Sequence, residues 1–410
     1  MKIRSITYFL DPGWPLDEKA LHKAGDFIAA ARPAFETVGY EVQTSRLATV
    51  PFPLLVPGLE PDEVMHLARA LEAAARPLGY DYVAIGPALP QHPSSYRVIP
   101  EVLAATQNVF ASGLMTAGSE GVSLPAVRAC AEVIHRAASV TPDGFTNLRF
   151  AALANVPPGS PFFPAAYHEG SLPTFALATE AADLAVEAFT QAESLGQARR
   201  LLVSAVEGHA QSLTRVSRVV AQTRGVSFGG IDFSLAPFPE ESRSLGTAME
   251  RLGVPAAGLH GSLAAAAILT EAIDQARFPR AGFSGLFLPV LEDAVLARRA
   301  AEGSLTVMDL LLYAAVCGTG LDTVPLPGDT PPDALAAVLL DLAVLSQRLG
   351  KPLTARLMPI PGKAAGDPTQ FDFAYFANSR ILPLRAAPLR GFLAGSETFN
   401  LMQHKDRDVG

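Results

Sequence analysis

Two hydrophobic patterns alternate along the chain. Short runs rich in β-branched and aromatic residues are typical of strands, and the longer Ala/Leu/Glu segments between them repeat with the period of a helix. Alternation of this kind is typical of helices that cross over and pack on a sheet. The predicted strands are 3–10, 40–48, 80–85, 108–114, 147–154, 174–177, 226–235, 285–290, 353–360 and 371–376, and the main predicted helices are 17–32, 62–76, 179–193 and 197–223. The pattern therefore predicts an α/β fold throughout.

The domain organisation follows from the position of the longest helices. The pair 179–193 and 197–223 separates the predicted strands into an earlier and a later set, which favours two lobes of about 1–195 and 196–402. A chain of 410 residues usually makes two or three domains, but α/β barrels of this size fold as one unit. We therefore predict a single domain over 1–402, followed by a frayed polar tail over 403–410.

Composition and charge narrow the classes of function. With 49% hydrophobic and 18% charged residues, the chain can bury a large core. The net charge is −8 and no stripe of Lys and Arg with interleaved aromatics is present, so nucleic acid is not an expected partner. No apolar run is long enough to indicate a membrane span, and Asp11-Pro12 comes too early for a signal peptide. We expect a cytoplasmic protein without a membrane partner.

The two cysteines, Cys130 and Cys317, are too few for a disulfide framework or a structural zinc site. Cys130 shares a helical stripe with Val127 and Ile134, which predicts a place in the core. Cys317 follows the apolar run 305–316 and precedes a Gly-Thr-Gly turn, where a thiol can face a cavity. It is either a functional thiol or a packed one, because free cysteine is among the most buried residue types.

Two aspartates and a serine are candidates for chemistry. Asp232 and Ser234 share one face of the predicted strand 226–235, opposite its apolar residues; that face is either a barrel interior or an exposed edge. Asp322 ends a short apolar run in a proline-rich loop and has no obvious helix to cap, so a catalytic or ligand-binding role and a plain turn carboxylate both fit. Either Asp329 or Thr330 is expected to cap the next helix.

Two histidines and two arginines complete the candidates. His260 directly precedes a helix and His168 follows a proline-rich loop, and each could face a ligand, although a lone histidine is usually structural. Arg4 and Arg356 lie inside strand-like apolar runs. A guanidinium on a buried strand needs a carboxylate or phosphate, from a ligand or from an internal ion pair. The substrate-binding candidates are Arg4, His168, Ser234 and Arg356.

Several segments resemble the domain-of-unknown-function family 711, also known as uncharacterised protein family 0210. They extend over nearly the whole chain and include the stretch Val-Ser-Phe-Gly-Gly-Ile-Asp-Phe-Ser-Leu-Ala-Pro. The segments are 3–7, 154–168, 226–237, 258–261, 317–322 and 355–359. The resemblance identifies a relationship and implies no activity.

The resemblance also implies an architecture. The family is similar to the pyruvate formate-lyase type of closed, ten-stranded α/β barrel, in which two five-stranded halves face each other. Those enzymes carry a radical glycine in an Arg-Val-x-Gly-aromatic loop near the C-terminus. The nearest segment here, Leu389 to Phe392, has a different spacing around Gly391. We therefore expect no glycyl radical and a protein that tolerates air.

The leading hypothesis is an enzyme, a hydrolase or a lyase, that acts on a small polar or anionic metabolite inside the barrel. Asp232, His260 and Asp322 would converge on one pocket, as acid and base groups or as ligands of a divalent metal. In a second hypothesis Cys317 is the nucleophile of a transferase or lyase. A third is a metabolite-sensing protein without catalysis. We also consider a homodimer among the expected partners.

Overall fold

The computed structural model describes residues 1–403 apart from Ser171 and Cys317. Its strands are β1 (Lys2–Leu10), β2 (Val42–Thr49), β3 (Tyr82–Ala88), β4 (Val109–Leu114), β5 (Val122–Ser123), β6 (Phe150–Ala154), β7 (Thr174–Glu180), β8 (Ser227–Ala236), β9 (Gly320–Pro327), β10 (Leu353–Ile360) and β11 (Thr398–Phe399). The helices are α1 (Glu18–Thr37), α2 (Phe52–Leu55), α3 (Pro61–Ala75), α4 (Ile99–Ala105), α5 (Leu124–Ala138), α6 (Ala182–Gln191), α7 (Leu195–Arg224), α8 (Leu245–Arg251), α9 (Ser262–Gln275), α10 (Ala294–Glu302), α11 (Val307–Tyr313) and α12 (Pro332–Leu349). The predicted α/β class is confirmed.

Nine strands form one sheet in the order β8-β7-β1-β2-β3-β4-β6-β10-β9. The central strands β1, β2, β3, β4 and β6 are parallel to one another. Strand β7 is antiparallel to β1, and β10 is antiparallel to β6. At the two edges β8 is parallel to β7 and β9 is parallel to β10. Five strands therefore run one way and the flanking pairs run the other way.

An irregular segment, residues 280–289, lies between the two edge strands. It forms isolated bridges to β8 at Ile231 and Leu235, and to β9 at Asp322. The backbone N–H of Leu235 donates to Gly285 O at 3.1 Å, and that of Val290 donates to Asp322 O at 3.1 Å. The strand predicted over 285–290 is therefore present as separate bridges, and a regular tenth strand is not found among the described residues.

Strand β1 shows how the layers are built. Because side chains alternate across a strand, its two faces pack against different partners. Tyr8 packs on the helical side against Phe27 of α1, with ring centroids 5.0 Å apart. Phe9 belongs to a separate cluster on the other face of the sheet, together with Phe110 and Phe163. Helices therefore cover the first face, and the second face is left for the site.

Two predicted elements differ from the structure. Residues 371–376 were predicted as a strand, but Phe371, Phe373 and Phe376 surround the ring of Phe145 instead. Conversely, the proline-rich stretch predicted as a loop forms β9, with Pro325 and Pro327 inside it. Prolines are tolerated there because β9 pairs regularly on one side only, with β10.

The expected cap of α12 is also wrong. Its N-cap residue is Pro331, which makes no side-chain capping bond, and the Thr330 hydroxyl donates back to Pro327 O at 2.7 Å. Asp329 is exposed. By contrast, Cys130 is fully buried in α5, as its helical stripe predicted. Within the described part of the chain, no helix is both long and apolar enough to cross a membrane.

Candidate functional site

A cavity lies on the face of the sheet opposite the helices. Every strand of the nine-stranded sheet except β6 contributes a side chain to its wall. The loop before β7 closes one side, and the Thr7 hydroxyl anchors that loop by donating to Pro161 O at 3.3 Å. The cavity is therefore assembled from most of the fold, as expected for a site that depends on the whole domain.

A chain of ion pairs crosses the cavity wall. The Arg356 Nε atom donates to Asp322 at 2.6 Å, and an Nη atom donates to Glu292 at 2.7 Å. Arg4 pairs with the other oxygen of Glu292. All four side chains line the cavity, and Glu292 and Arg356 are each about 5% exposed. Two arginines are thus neutralised by two buried carboxylates.

The pKa shifts of these groups follow from burial and from the ion pairs. Burial alone would raise the pKa of Glu292, but the guanidinium groups of Arg4 and Arg356 outweigh it and hold that pKa below its usual value. Burial raises the pKa of Asp322, and Arg356 offsets only part of that rise. Glu292 is therefore the more firmly ionised carboxylate and the centre of the network.

Arg46 is a third guanidinium in the same wall, and it differs from the other two. It is half-buried, and within residues 1–403 apart from Ser171 and Cys317 no carboxylate pairs with it. Burial, together with repulsion from Arg4, lowers the pKa of Arg46 to about 9. Since arginine keeps its charge in proteins, this shift marks a cation held in an unfavourable place without a partner.

Asp232 and Ser234 lie on β8 and face the cavity together. The Asp232 carboxylate accepts hydrogen bonds from the Ser234 hydroxyl and from the backbone N–H groups of Phe283 (3.0 Å) and Ser284 (2.9 Å). Burial raises the pKa of Asp232, and these donors offset part of the rise. Gly282 has φ +59°, and a Cβ there would approach the Asp232 carboxylate to 2.2 Å, so a glycine is required.

Two strained residues flank the cavity carboxylates. Ser284, which donates to Asp232, has φ 42°, and Thr323, which follows Asp322, also has φ 42°. Positive φ is unfavourable for a β-branched residue such as threonine. Thr323 is held there because its hydroxyl oxygen accepts the Leu291 N–H at 3.3 Å. Strain of this kind concentrates at functional sites, which supports this cavity as the site.

The structure brings five of the sequence-predicted residues to one cavity. These are Arg4, Asp232, Ser234, Asp322 and Arg356. Of the two alternatives for Asp232, an interior face or an exposed edge, the structure shows the interior face. Of the two alternatives for Arg4 and Arg356, a ligand or an internal ion pair, it shows the internal ion pair. Cys317 lies outside the described residues.

The two histidines lie elsewhere. The prediction that His260 joins Asp232 and Asp322 is wrong, because His260 is exposed on the loop before α9 and does not line the cavity. That loop turns outward at Gly258, whose Cα packs so closely on the Ser304 backbone that a Cβ would lie 2.0 Å from its oxygen. His168 is buried and borders a separate cleft beside Arg280.

Sequence reasoning missed Glu292 and Arg46. Arg46 was missed because residues 43–46 of β2 are all polar, so no single side chain stands out from an apolar run as Asp232 does in β8. Glu292 follows the irregular segment 280–289, and no local pattern indicates partners as distant as Arg4. Among the described residues, no group of three or more His, Cys, Asp and Glu side chains is arranged to hold a metal ion.

The comparison with known sequences gives the family. The sequence model of the family described as Uncharacterised ACR (DUF711) matches residues 1–378. A UPF0210 protein of Pyrobaculum arsenaticum is 35% identical over 369 residues, which cover 84% of this chain and 80% of that protein. One from Methanopyrus kandleri is 33% identical over 368 residues, 85% of this chain and 81% of that protein. A UPF0210 protein of Neisseria gonorrhoeae is 28% identical over 360 residues, with 84% and 80% covered. The chain therefore belongs to the DUF711 family, as its sequence segments indicated.

Proposed function

We propose that this protein is an enzyme that binds a small anionic metabolite in the cavity, with Arg46 as the cation that pairs with the ligand. The observation that carries the proposal is the contrast among the three cavity arginines. Arg4 and Arg356 are engaged with Glu292 and Asp322, whereas Arg46 has no carboxylate partner in the described part of the chain. An anionic ligand would supply the missing partner and remove the desolvation penalty.

Asp232 is our candidate for proton transfer. Its raised pKa brings the carboxyl group closer to neutrality than an ordinary aspartate, which suits a group that must both release and accept a proton. It lines the same cavity as Arg46, so one ligand could contact both side chains. Asp322 would act indirectly in this proposal, by fixing Arg356 and the network around Glu292.

We also propose that residues 280–289 act as a tenth strand that closes the sheet. The bridges from this segment to both edge strands support the closure. With it, the strands divide by direction into two sets of five, as the resemblance to the pyruvate formate-lyase type of barrel implies. The division would fall between β6 and β7, earlier in the chain than the predicted boundary near residue 195.

The binding proposal is tested by capturing ligands from a metabolite extract. The folded protein is incubated with the extract, washed and denatured, and the released compounds are identified by mass spectrometry. We expect an anionic compound to be enriched on the wild-type protein and lost from Arg46→Met. Arg218→Met, which removes an exposed arginine of α7, is the matched control and should behave like the wild type.

Turnover then tests the catalytic part of the proposal. The captured compound should be converted by the wild-type protein, and Asp232→Ala should retain binding while losing most of the turnover. Conversion at the wild-type rate by Asp232→Ala would contradict the role of Asp232. Saturable binding with no conversion would favour the sensor alternative, and equal capture by Arg46→Met would contradict the site itself.

A further inference from the structure

The protein itself holds the Arg46 guanidinium in one orientation. Its Nε atom donates to Thr44 Oγ1 at 3.0 Å, and the same hydroxyl donates to Arg4 O at 2.7 Å. The Cζ atom lies over the Phe163 ring, 5.1 Å from its centroid. Neither Nη atom donates to a protein acceptor within the described residues. The result is a fixed fork with its two terminal nitrogens free.

The charges around the cavity limit the charge of a ligand. Arg4 and Arg356 are balanced by Glu292 and Asp322, so the remaining charged groups of the wall are Arg46 and Asp232. With Asp232 protonated the wall carries one net positive charge, and with Asp232 ionised it carries none. A dianion would leave at least one uncompensated negative charge beside Glu292 and Asp322, which is costly in a buried site.

The rest of the wall favours an apolar ligand body. Most of the large side chains outside the charged network are aromatic, and two of them support the arginines, because Phe163 lies under Arg46 and Phe162 lies 5.5 Å from the Cζ atom of Arg356. Aromatic walls offer flat contact surfaces. The aromatic residues of the wall are Tyr82, Phe110, Phe162, Phe163, Phe287, Phe373 and Tyr375.

Building on the proposed function, we infer that the ligand is a small monocarboxylate with a flat, apolar body. The two carboxylate oxygens accept parallel hydrogen bonds from the Nη1 and Nη2 atoms of Arg46, and the body packs among the aromatic side chains. A planar carboxylate matches the planar fork and carries a single charge, whereas a phosphate monoester carries about two charges at neutral pH.

The experiment compares four compounds that share an aromatic ring and differ in their polar group. Phenylacetate, benzylsulfonate, phenyl phosphate and neutral phenylacetamide are titrated calorimetrically at about pH 8, where the phosphate is a dianion, into the wild-type protein, Arg46→Lys and Arg46→Met. Acetate is included because it carries the carboxylate group without an aromatic ring and so tests the anion site alone. Arg218→Lys is the control for the loss of an arginine, and circular dichroism confirms that each variant is folded.

We expect phenylacetate to bind the wild type most tightly and the amide not to bind. Lysine keeps the positive charge but lacks the two parallel donors of the guanidinium. Arg46→Lys should therefore weaken the binding of phenylacetate by about ten- to hundredfold and weaken the binding of benzylsulfonate less. If all anions bind alike, and equally to Arg46→Lys, the carboxylate inference is overturned while the proposed anion site stands. If the wild type binds none of them, acetate included, or if Arg46→Met binds as well as the wild type, the proposed function itself is overturned.

Discussion

Replacing Glu292 by glutamine is expected to lower the free energy of unfolding by about 3–5 kcal/mol, the range for breaking a buried ion pair from one side. Glu292 accepts from both Arg4 and Arg356 and is itself buried. The glutamine amide keeps the shape of the side chain, but Asp322 is then the one carboxylate of the network left to balance the guanidinium groups of Arg4 and Arg356. Urea denaturation of the two proteins measures the difference.

The matched control is Glu241→Gln, which removes a glutamate that pairs with Arg298 on the surface and should change stability little. The effect at Glu292 should also depend on pH. A carboxylate with a lowered pKa stabilises the fold above its unfolded-state pKa of about 4.3, and this contribution is lost as the pH falls through the folded-state value. The gap between wild type and Glu292→Gln should therefore narrow in acid. The proposed role of Glu292 in the ion-pair network would be contradicted if Glu292→Gln changed the free energy of unfolding no more than Glu241→Gln does, or if the difference from the wild type grew in acid.

Replacing Arg46 by methionine is expected to have the opposite effect on the ligand-free protein. Methionine fills part of the same space without a charge, so the unfavourable, unpartnered cation is removed. We expect the free energy of unfolding to rise by about 1 kcal/mol, because the half-buried guanidinium carries only part of the cost of an unsatisfied buried polar group. The gain in stability would accompany the loss of ligand binding, as is common where a site is built for function rather than stability.

Thermal and urea denaturation of wild type, Arg46→Met and Arg218→Met test this prediction. The Arg218 change removes the same group from an exposed position of α7, so it should leave the midpoint close to that of the wild type. A clear loss of stability in Arg46→Met alone would show that Arg46 supports the fold, and our interpretation of it as an unsatisfied ligand-binding cation would be wrong.

Local patterns carried much of the fold prediction. Strand β10 has the predicted bounds, 353–360, because most of its residues are apolar and such a run is recognised without information from elsewhere in the chain. Strand β9 was missed because its prolines are typical of loops, and only its position at the sheet edge makes them acceptable. The aromatic stretch 371–376 was misassigned because its rings pack around Phe145, a contact that no local pattern encodes.

The candidate site was predictable where a polar residue interrupts an apolar strand. Arg4, Asp232 and Arg356 were found in this way, whereas Arg46 lies in the polar run 43–46 of β2 and gives no such signal. Glu292 was not found, because its partner Arg4 is 288 residues away in sequence. His260 was misplaced because the direction of its loop depends on the contact of Gly258 with Ser304, and that contact is tertiary.

The measurement that tests the central claim most directly is a crystal structure with 4-bromophenylacetate, collected at the bromine absorption edge. The account predicts an anomalous peak among the aromatic residues of the cavity, with the carboxylate within hydrogen-bond distance of both Nη atoms of Arg46 and the Glu292 ion pairs intact. Bromine found only outside the cavity, or a carboxylate bound in the cavity away from Arg46, would contradict it.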